Sequence, residues 1–175
     1  PAHHGNRESP GAVRVNAVDI RQGEELRDLY RELILDHARS PRHFHKLDAA
    51  THAAEGINPL CGDKLHVYVN VDDNDVIAEA AFEGSGCAIS VASASLLTDL
   101  VTGLSTQQAL DCCAEITGRL TSPGAHESRD IGVNLDQIRA LDGVRDYPSR
   151  VKCATLAWHA LNSAINGQSE PVSTE

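Results

Sequence analysis

The chain has 175 residues, of which 41% are hydrophobic and 23% are charged, and these values suit one globular domain with a sizeable core. A formal net charge of −10 and the lack of a basic stretch argue against a nucleic-acid partner. No run approaches the about 18 apolar residues of a transmembrane helix, and residues 1–13 lack the apolar core of a signal peptide. We therefore expect a cytoplasmic protein with no membrane partner.

The first half of the chain predicts a helix followed by a small sheet. Residues 1–22 are polar and contain Gly and Pro, so we predict a flexible extension there. Apolar residues at helical spacing predict an amphipathic helix over residues 24–41. A short strand is predicted near residues 53–57. Alternating apolar residues over 65–71, an acidic turn and a further strand over 76–82 predict a β-hairpin.

The second half predicts helices. They span residues 84–103, 105–120, 135–141 and 149–165, with a polar loop at 121–133. Because the strands and most helices are segregated rather than alternating, the pattern predicts an α+β fold with a small antiparallel sheet. We predict one domain over residues 23–166 and a flexible C-terminal tail over residues 167–175.

Five cysteines in a chain without secretory features favour a metal site or a reactive thiol over a disulfide framework. Cys112 and Cys113 are adjacent within a predicted helix and have no ligand-type neighbour, so we interpret them as buried apolar side chains. Cys61 lies in a turn before a strand, Cys87 at a strand-to-helix junction, and Cys153 in the first turn of the last helix. A helix N-terminus favours the thiolate, the form that binds metals and attacks sulfur.

Asp63 completes a candidate site, because Gly62 allows the chain to fold back so that Asp63 and Cys61 face one centre. Three thiolates and a carboxylate would suit a four-coordinate Zn²⁺ ion. Arg150 and Lys152 flank Cys153 and are candidates to offset the negative charge of the site or to contact a partner. The spacing alone leaves open that the three cysteines occupy element boundaries by coincidence. Histidines before Cys61 are further candidates for approach to the metal: His43, His45 and His52.

Four segments of the chain resemble one known family. LYRELILDHARSPRH, NPLCGDK, FEGSGCAISVASASLL and YPSRVKCATLAWHAL, in this order, closely resemble the SufU branch of the IscU/NifU-like iron–sulfur cluster assembly proteins, over residues 24–165. The resemblance implies an IscU-like α+β fold with a three-stranded antiparallel sheet packed against helices. It also implies a zinc site whose ligands are Cys61, Asp63, Cys87 and Cys153.

The resemblance further implies a function in sulfur transfer. Cys61 would accept sulfur as a persulfide from a SufS-type, pyridoxal-phosphate-dependent cysteine desulfurase, for delivery to a downstream Suf cluster scaffold. We therefore expect a sulfurtransferase-like accessory protein rather than a stand-alone enzyme. Lys152 stands where the IscU branch has a histidine, and the long stretch over residues 113–146 is also SufU-like. The alternatives are a scaffold that assembles a [2Fe–2S] cluster or binds iron on the same ligands, and a purely structural zinc site.

Overall fold

The structure is a computed structural model that describes residues 17–122, 129–168 and 170–174. In chain order its elements are α1 (Ala17–Arg39), β1 (His52–Asn58), β2 (Asp63–Val71), β3 (Ile77–Ser85), α2 (Ala88–Val101), α3 (Thr106–Thr121), a 3₁₀ segment (Asp136–Val144), α4 (Pro148–Ile165) and β4 (Val172–Ser173). Most of the predicted N-terminal extension, residues 1–16, lies outside the described residues. No described helix combines the length and the apolar character that crossing a membrane requires.

Two element boundaries differ from the sequence prediction in an informative way. Helix α1 begins at Ala17, seven residues before its predicted start, because a single internal glycine weakens a helix by only about 1 kcal/mol and does not end it. Helix α2 begins at Ala88 rather than at residue 84, because Gly84 and Ser85 still pair with β2. Cys87 is consequently the N-cap residue of α2.

The α+β class is confirmed, and the number of strands is corrected. The sheet has four strands in the order β3-β2-β1-β4. The first three strands are antiparallel, whereas β4 pairs with β1 in parallel and makes the sheet mixed. Two residues are too few to produce a periodic pattern, so β4 is invisible in the sequence. Its main chain covers the edge of β1, where unpaired polar groups would otherwise remain.

Helices α2 and α4 pack on each other and α4 packs on β1 and β2. The small residues Ala92, Ser93 and Ala94 of α2 are all fully buried and allow a close helix–helix approach. Ser93 Oγ donates a hydrogen bond to the Ala154 carbonyl at 2.6 Å and accepts one from Trp158 Nε1 at 3.1 Å. These bonds hold the middle of α4 against α2.

Cys112 and Cys113 of α3 belong to the hydrophobic core, as predicted. Burial raises the pKa of the Cys112 thiol to about 11 and that of Cys113 to about 12. Both side chains therefore remain protonated thiols at neutral pH, and they act as small apolar side chains rather than as nucleophiles.

The buried His37 side chain makes stability depend on pH. Its Nδ1 atom lies 2.7 Å from Ser95 Oγ, and burial, followed by the positive charge of Arg42, lowers the pKa of His37. The unfolded state therefore binds a proton more readily, so the free energy of unfolding should decrease as pH falls below about 6.5. We expect His37→Gln to reduce this decrease in thermal melts between pH 7 and pH 5. If His37→Gln left the pH dependence of stability unchanged, this role of His37 would be contradicted. Burial also lowers the pKa of His159, so His159→Gln should remove a separate part of the decrease in unfolding free energy.

Candidate metal centre

The turn between β1 and β2 presents Cys61 and Asp63 in different environments. Asn58 pairs with Asp63 at the end of the two strands, and the Cys61 N–H donates to the Asn58 carbonyl at 3.3 Å. Gly62 has φ +71°, a left-handed conformation that suits glycine. As a result Cys61 is exposed at the turn, whereas Asp63 is 1% exposed at the start of β2.

Cys153 meets the turn from the first part of α4. Its side chain is fully buried, and its Sγ atom lies 3.5 Å from Cys61 Sγ. The Asn58 side-chain amide donates to Cys153 Sγ at 3.6 Å. Cys61, Asp63 and Cys153 each offer one ligand atom, and these three atoms all lie within 4.8 Å of one another. Residues 92 positions apart in the sequence thus share one centre.

Cys87 reaches this group through Asp63. The Cys87 N–H donates to Asp63 Oδ1 at 2.9 Å, and Cys87 Sγ lies 3.9 Å from Asp63 Oδ2. Ser90, one turn further along α2, donates from its hydroxyl to Asp63 Oδ2 at 2.5 Å. The Asp63 carboxylate is therefore held at both oxygens, and its orientation toward the cysteines is fixed.

Two glycines allow the end of β3 and the start of α2 to lie this close to Asp63. Gly84 has φ +129°, and a Cβ atom there would lie 2.1 Å from the Lys64 carbonyl oxygen. A Cβ atom on Gly86 would lie 3.1 Å from Asp63 Oδ1. The Gly84-Ser85-Gly86 run therefore allows close backbone approach beside Cys87.

Burial disfavours the thiolate form of Cys153 when no cation is bound. Burial, reinforced by the side chains of Cys87, Cys61 and Asp63, raises the pKa of the Cys153 thiol. A cation at the centre reverses this effect, since it stabilises the thiolate ligands that it binds. The Asn58 amide N–H directed at Cys153 Sγ is the kind of outer contact that supports a metal-bound sulfur. Three sulfurs and one carboxylate oxygen form a donor set that fits Zn²⁺ and also fits iron.

The other predicted residues do not join this cluster. Arg150 is exposed and lines a groove of about 970 Å³ with Ala88 and Tyr147, at the start of α2 and α4. Lys152 lines a different cavity, beside Thr155. The three candidate histidines make contacts elsewhere: His43 with Thr98 and Asp99, His45 with the Lys46 carbonyl, and His52 with Thr51.

The sequence did not single out two residues that support the centre, Asn58 and Ser90. Asn58 stands before a proline and was therefore indistinguishable from an ordinary turn residue. Ser90 follows Cys87 by three positions, a spacing that places the two side chains on one face of a helix. A serine three positions after a candidate ligand at a helix start is therefore the sequence pattern that points to Ser90.

Comparisons with known proteins agree with this fold. The family model of the NifU-like N terminal domain matches residues 29–154. The zinc-dependent sulfurtransferase SufU of Bacillus subtilis is 36% identical over 140 residues, which cover 80% of this chain and 91% of that protein. The iron–sulfur cluster assembly scaffold protein IscU of Streptococcus pyogenes is 39% identical over 144 residues, covering 81% of this chain and 85% of that protein.

A solved structure shows the same architecture. It is a candidate iron–sulfur cluster assembly scaffold protein for the SUF system from Fervidobacterium islandicum AW-1, with a TM-score of 0.68 and 33% identity. The match covers 77% of this chain and 94% of that one. The chain therefore belongs to the NifU-like N terminal domain family, and the predicted resemblance to SufU-type and IscU-like proteins is confirmed.

Proposed function

We propose that this protein accepts sulfur during iron–sulfur cluster assembly, with Cys61 as the acceptor. The observation that carries the proposal is that Cys61 alone among the four candidate ligands is exposed, while its Sγ atom lies 3.5 Å from that of the buried Cys153. An exposed thiol is accessible to a partner protein, and the buried residues form a fixed base beneath it. The donor would be a SufS-type, pyridoxal-phosphate-dependent cysteine desulfurase, and a downstream Suf cluster scaffold would receive the sulfur.

Zn²⁺ is the metal that we propose for the site, held by Cys61, Asp63, Cys87 and Cys153. When bound, it supplies a Lewis acid that keeps the thiols deprotonated at neutral pH without changing redox state. Similarity to the zinc-dependent sulfurtransferase SufU supports zinc over iron. Asp63, whose two oxygens accept from the Cys87 N–H and the Ser90 hydroxyl, would maintain the arrangement while Cys61 reacts.

The proposed reaction is a sulfur transfer without net oxidation or reduction. The Cys61 thiolate attacks the outer sulfur of a cysteine persulfide on the desulfurase. A sulfur–sulfur bond forms to Cys61 while the sulfur–sulfur bond of the donor breaks. The donor cysteine leaves as a thiolate, and the outer sulfur keeps its proton, so that Cys61 becomes the persulfide.

A desulfurase assay tests this function. With cysteine as substrate, the desulfurase should form alanine faster when this protein is added, and sulfur should become bound to this protein. Metal analysis of the same preparation should find zinc in a one-to-one ratio. No acceleration and no bound sulfur would overturn the proposal.

The second candidate function is assembly of a [2Fe–2S] cluster on the same ligands, which the similarity to the scaffold protein IscU favours. Anaerobic reconstitution with iron and sulfide separates the two functions. A stable cluster that is transferred to an acceptor protein would favour the scaffold. A purely structural site would instead show lower thermal stability for Cys61→Ser with sulfur transfer intact.

Ser90 gives a prediction about metal affinity. Because its hydroxyl orients the Asp63 carboxylate, we expect Ser90→Ala to weaken zinc binding by about 10–100-fold. Ser93→Ala is a matched control, since Ser93 is an equally buried serine of α2 that bonds Ala154 and Trp158 instead. Ser93→Ala should lower thermal stability but weaken zinc binding much less than Ser90→Ala does. Equal zinc affinities of the two variants in a chelator competition would contradict the role of Ser90.

Arg150 is proposed to contact the desulfurase, because it is exposed at the start of α4, close in sequence to Cys153. We expect Arg150→Glu to weaken desulfurase binding by reversing a charge at the rim of the groove, with unchanged zinc content. Titration of the desulfurase with each variant measures this effect. Lys152→Glu, in a separate cavity, is the control. Unaltered binding by Arg150→Glu would remove Arg150 from the interface.

A further inference from the structure

A second cavity lies apart from the candidate metal centre. It has a volume of about 520 Å³, is open to solvent, and is lined by the end of α3, the residue that follows the 3₁₀ segment, one face of α4 and the C-terminal strand. Pro148, Val151, Thr155 and His159 line it from α4 at helical spacing, together with Lys152. The volume is within the range of small-molecule sites.

The cavity carries positive charge on a strongly acidic chain. Arg145 and Lys152 line it, and no described carboxylate side chain does. The described contacts of the Arg145 side chain comprise one long hydrogen bond, to the Ser122 carbonyl at 3.4 Å. Burial lowers the pKa of His159, so its imidazole is uncharged at neutral pH and offers one N–H donor. The residues lining the cavity thus include two cations and a neutral donor.

The residue that follows the C-terminal strand adds a polar group without a partner among the described residues. Thr174 lines the cavity and is 9% exposed, and its hydroxyl oxygen has no hydrogen-bond partner among the described residues. The Thr174 N–H donates to the Ile57 carbonyl at 3.2 Å, which holds the residue against β1. In contrast, the Thr155 hydroxyl already donates to the Val151 carbonyl at 2.9 Å. A buried hydroxyl without a partner is unfavourable unless a ligand or water satisfies it.

We propose that this cavity binds a small ligand that carries a phosphate group. Arg145, Lys152 and Thr174 supply a guanidinium, an ammonium and a hydroxyl, and a phosphate offers such donors more acceptor oxygens than a carboxylate does. Binding would also add a link between α4 and the residue that follows β4, because Lys152 belongs to the helix and Thr174 to the C-terminal segment. The proposal is independent of the sulfur-transfer function.

Inorganic phosphate is the probe for the test, applied to the whole chain at constant ionic strength with chloride as the balancing salt. We expect saturable changes in the amide NMR signals of Lys152, His159 and Thr174. Removal of one charged donor by Arg145→Gln or by Lys152→Gln should weaken phosphate binding at least about tenfold. Thr174→Val, which keeps the side-chain shape, should weaken it by a smaller factor.

Arg139→Gln is the matched control, because Arg139 lies on the neighbouring 3₁₀ segment and lines the other groove. This variant should bind phosphate like the unaltered protein. Zinc content should be equal in all variants, which separates this cavity from the metal centre. A response that grows linearly with phosphate, equal affinity in Arg145→Gln and the control, or tighter binding of succinate than of phosphate would each overturn the proposal.

Discussion

Replacement of Cys61 by alanine is expected to reduce desulfurase turnover to the rate of the desulfurase alone. Cys61 is the exposed thiol of the cluster, so no other candidate ligand is equally accessible to the donor persulfide. The side chain lies in a turn outside the core, and the metal-free variant should therefore unfold with a free energy within about 0.5 kcal/mol of the unaltered protein. Alanine formation and urea denaturation measure the two effects.

The control for this variant is Cys112→Ala. Cys112 is fully buried in the core and its thiol pKa is raised to about 11, so the substitution should lower stability and leave sulfur acceptance unchanged. Acceleration of the desulfurase by Cys61→Ala would show that sulfur passes to another residue or that stimulation needs no acceptor thiol. Either result would contradict the assignment of Cys61.

Replacement of Asp63 by alanine is expected to weaken zinc binding by more than about a hundredfold, because the proposed direct ligand should matter more than the groups that orient it. The substitution also leaves the Cys87 N–H and the Ser90 hydroxyl without their acceptor. We therefore expect the metal-free protein to lose about 2–4 kcal/mol of unfolding free energy. Chelator competition measures the first effect and urea denaturation measures the second.

Asp63→Asn separates these two effects. The asparagine retains a carbonyl oxygen that can accept a hydrogen bond from the Cys87 N–H. Asp63→Asn should therefore be more stable than Asp63→Ala, while its zinc affinity stays low. Zinc affinity of Asp63→Ala equal to that of the unaltered protein would remove Asp63 from the ligand set. Loss of zinc without any loss of stability in the metal-free state would contradict the described hydrogen bonds.

Much of the fold was readable in the sequence because its patterns are local. The alternating residues of β2 and the amphipathic pattern of α1 follow from burial of one face, and each extends over many residues. Strand β4 has no sequence signature, because its two residues pair through the main chain, which carries no side-chain signal. Helix α2 starts later than its sequence pattern indicates, because Gly84 and Ser85 continue strand β3 despite the low strand propensity of glycine.

The candidate site was readable only in part, for a physical reason. Cys61 and Asp63 are two residues apart, so a turn suffices to suggest that they share a centre. The meeting of Cys153 with Cys61 depends on the packing of α4 against α2 and the sheet, which no local pattern encodes. The resemblance to a known family provided that information. It did not show that Arg150 and Lys152 line separate cavities.

The different exposures of the four proposed ligands give them separate roles. Asp63 and Cys153 are buried and Cys87 is partly buried, so these three would retain the metal. Cys61 is exposed on a turn that contains Gly62, and it would react. Metal retention and sulfur transfer should therefore respond differently to substitutions at Asp63 and at Cys61.

Mapping the persulfide by mass spectrometry tests most directly whether Cys61, rather than the metal-retaining cysteines, accepts the sulfur. The protein would be incubated with a SufS-type desulfurase and cysteine, alkylated under conditions that preserve persulfides, and digested. We predict one added sulfur atom on the peptide that contains Cys61, and none on the peptides that contain Cys87 or Cys153. An added sulfur on either of those two peptides, or on none of the three, would contradict the assignment of Cys61 as the sulfur acceptor.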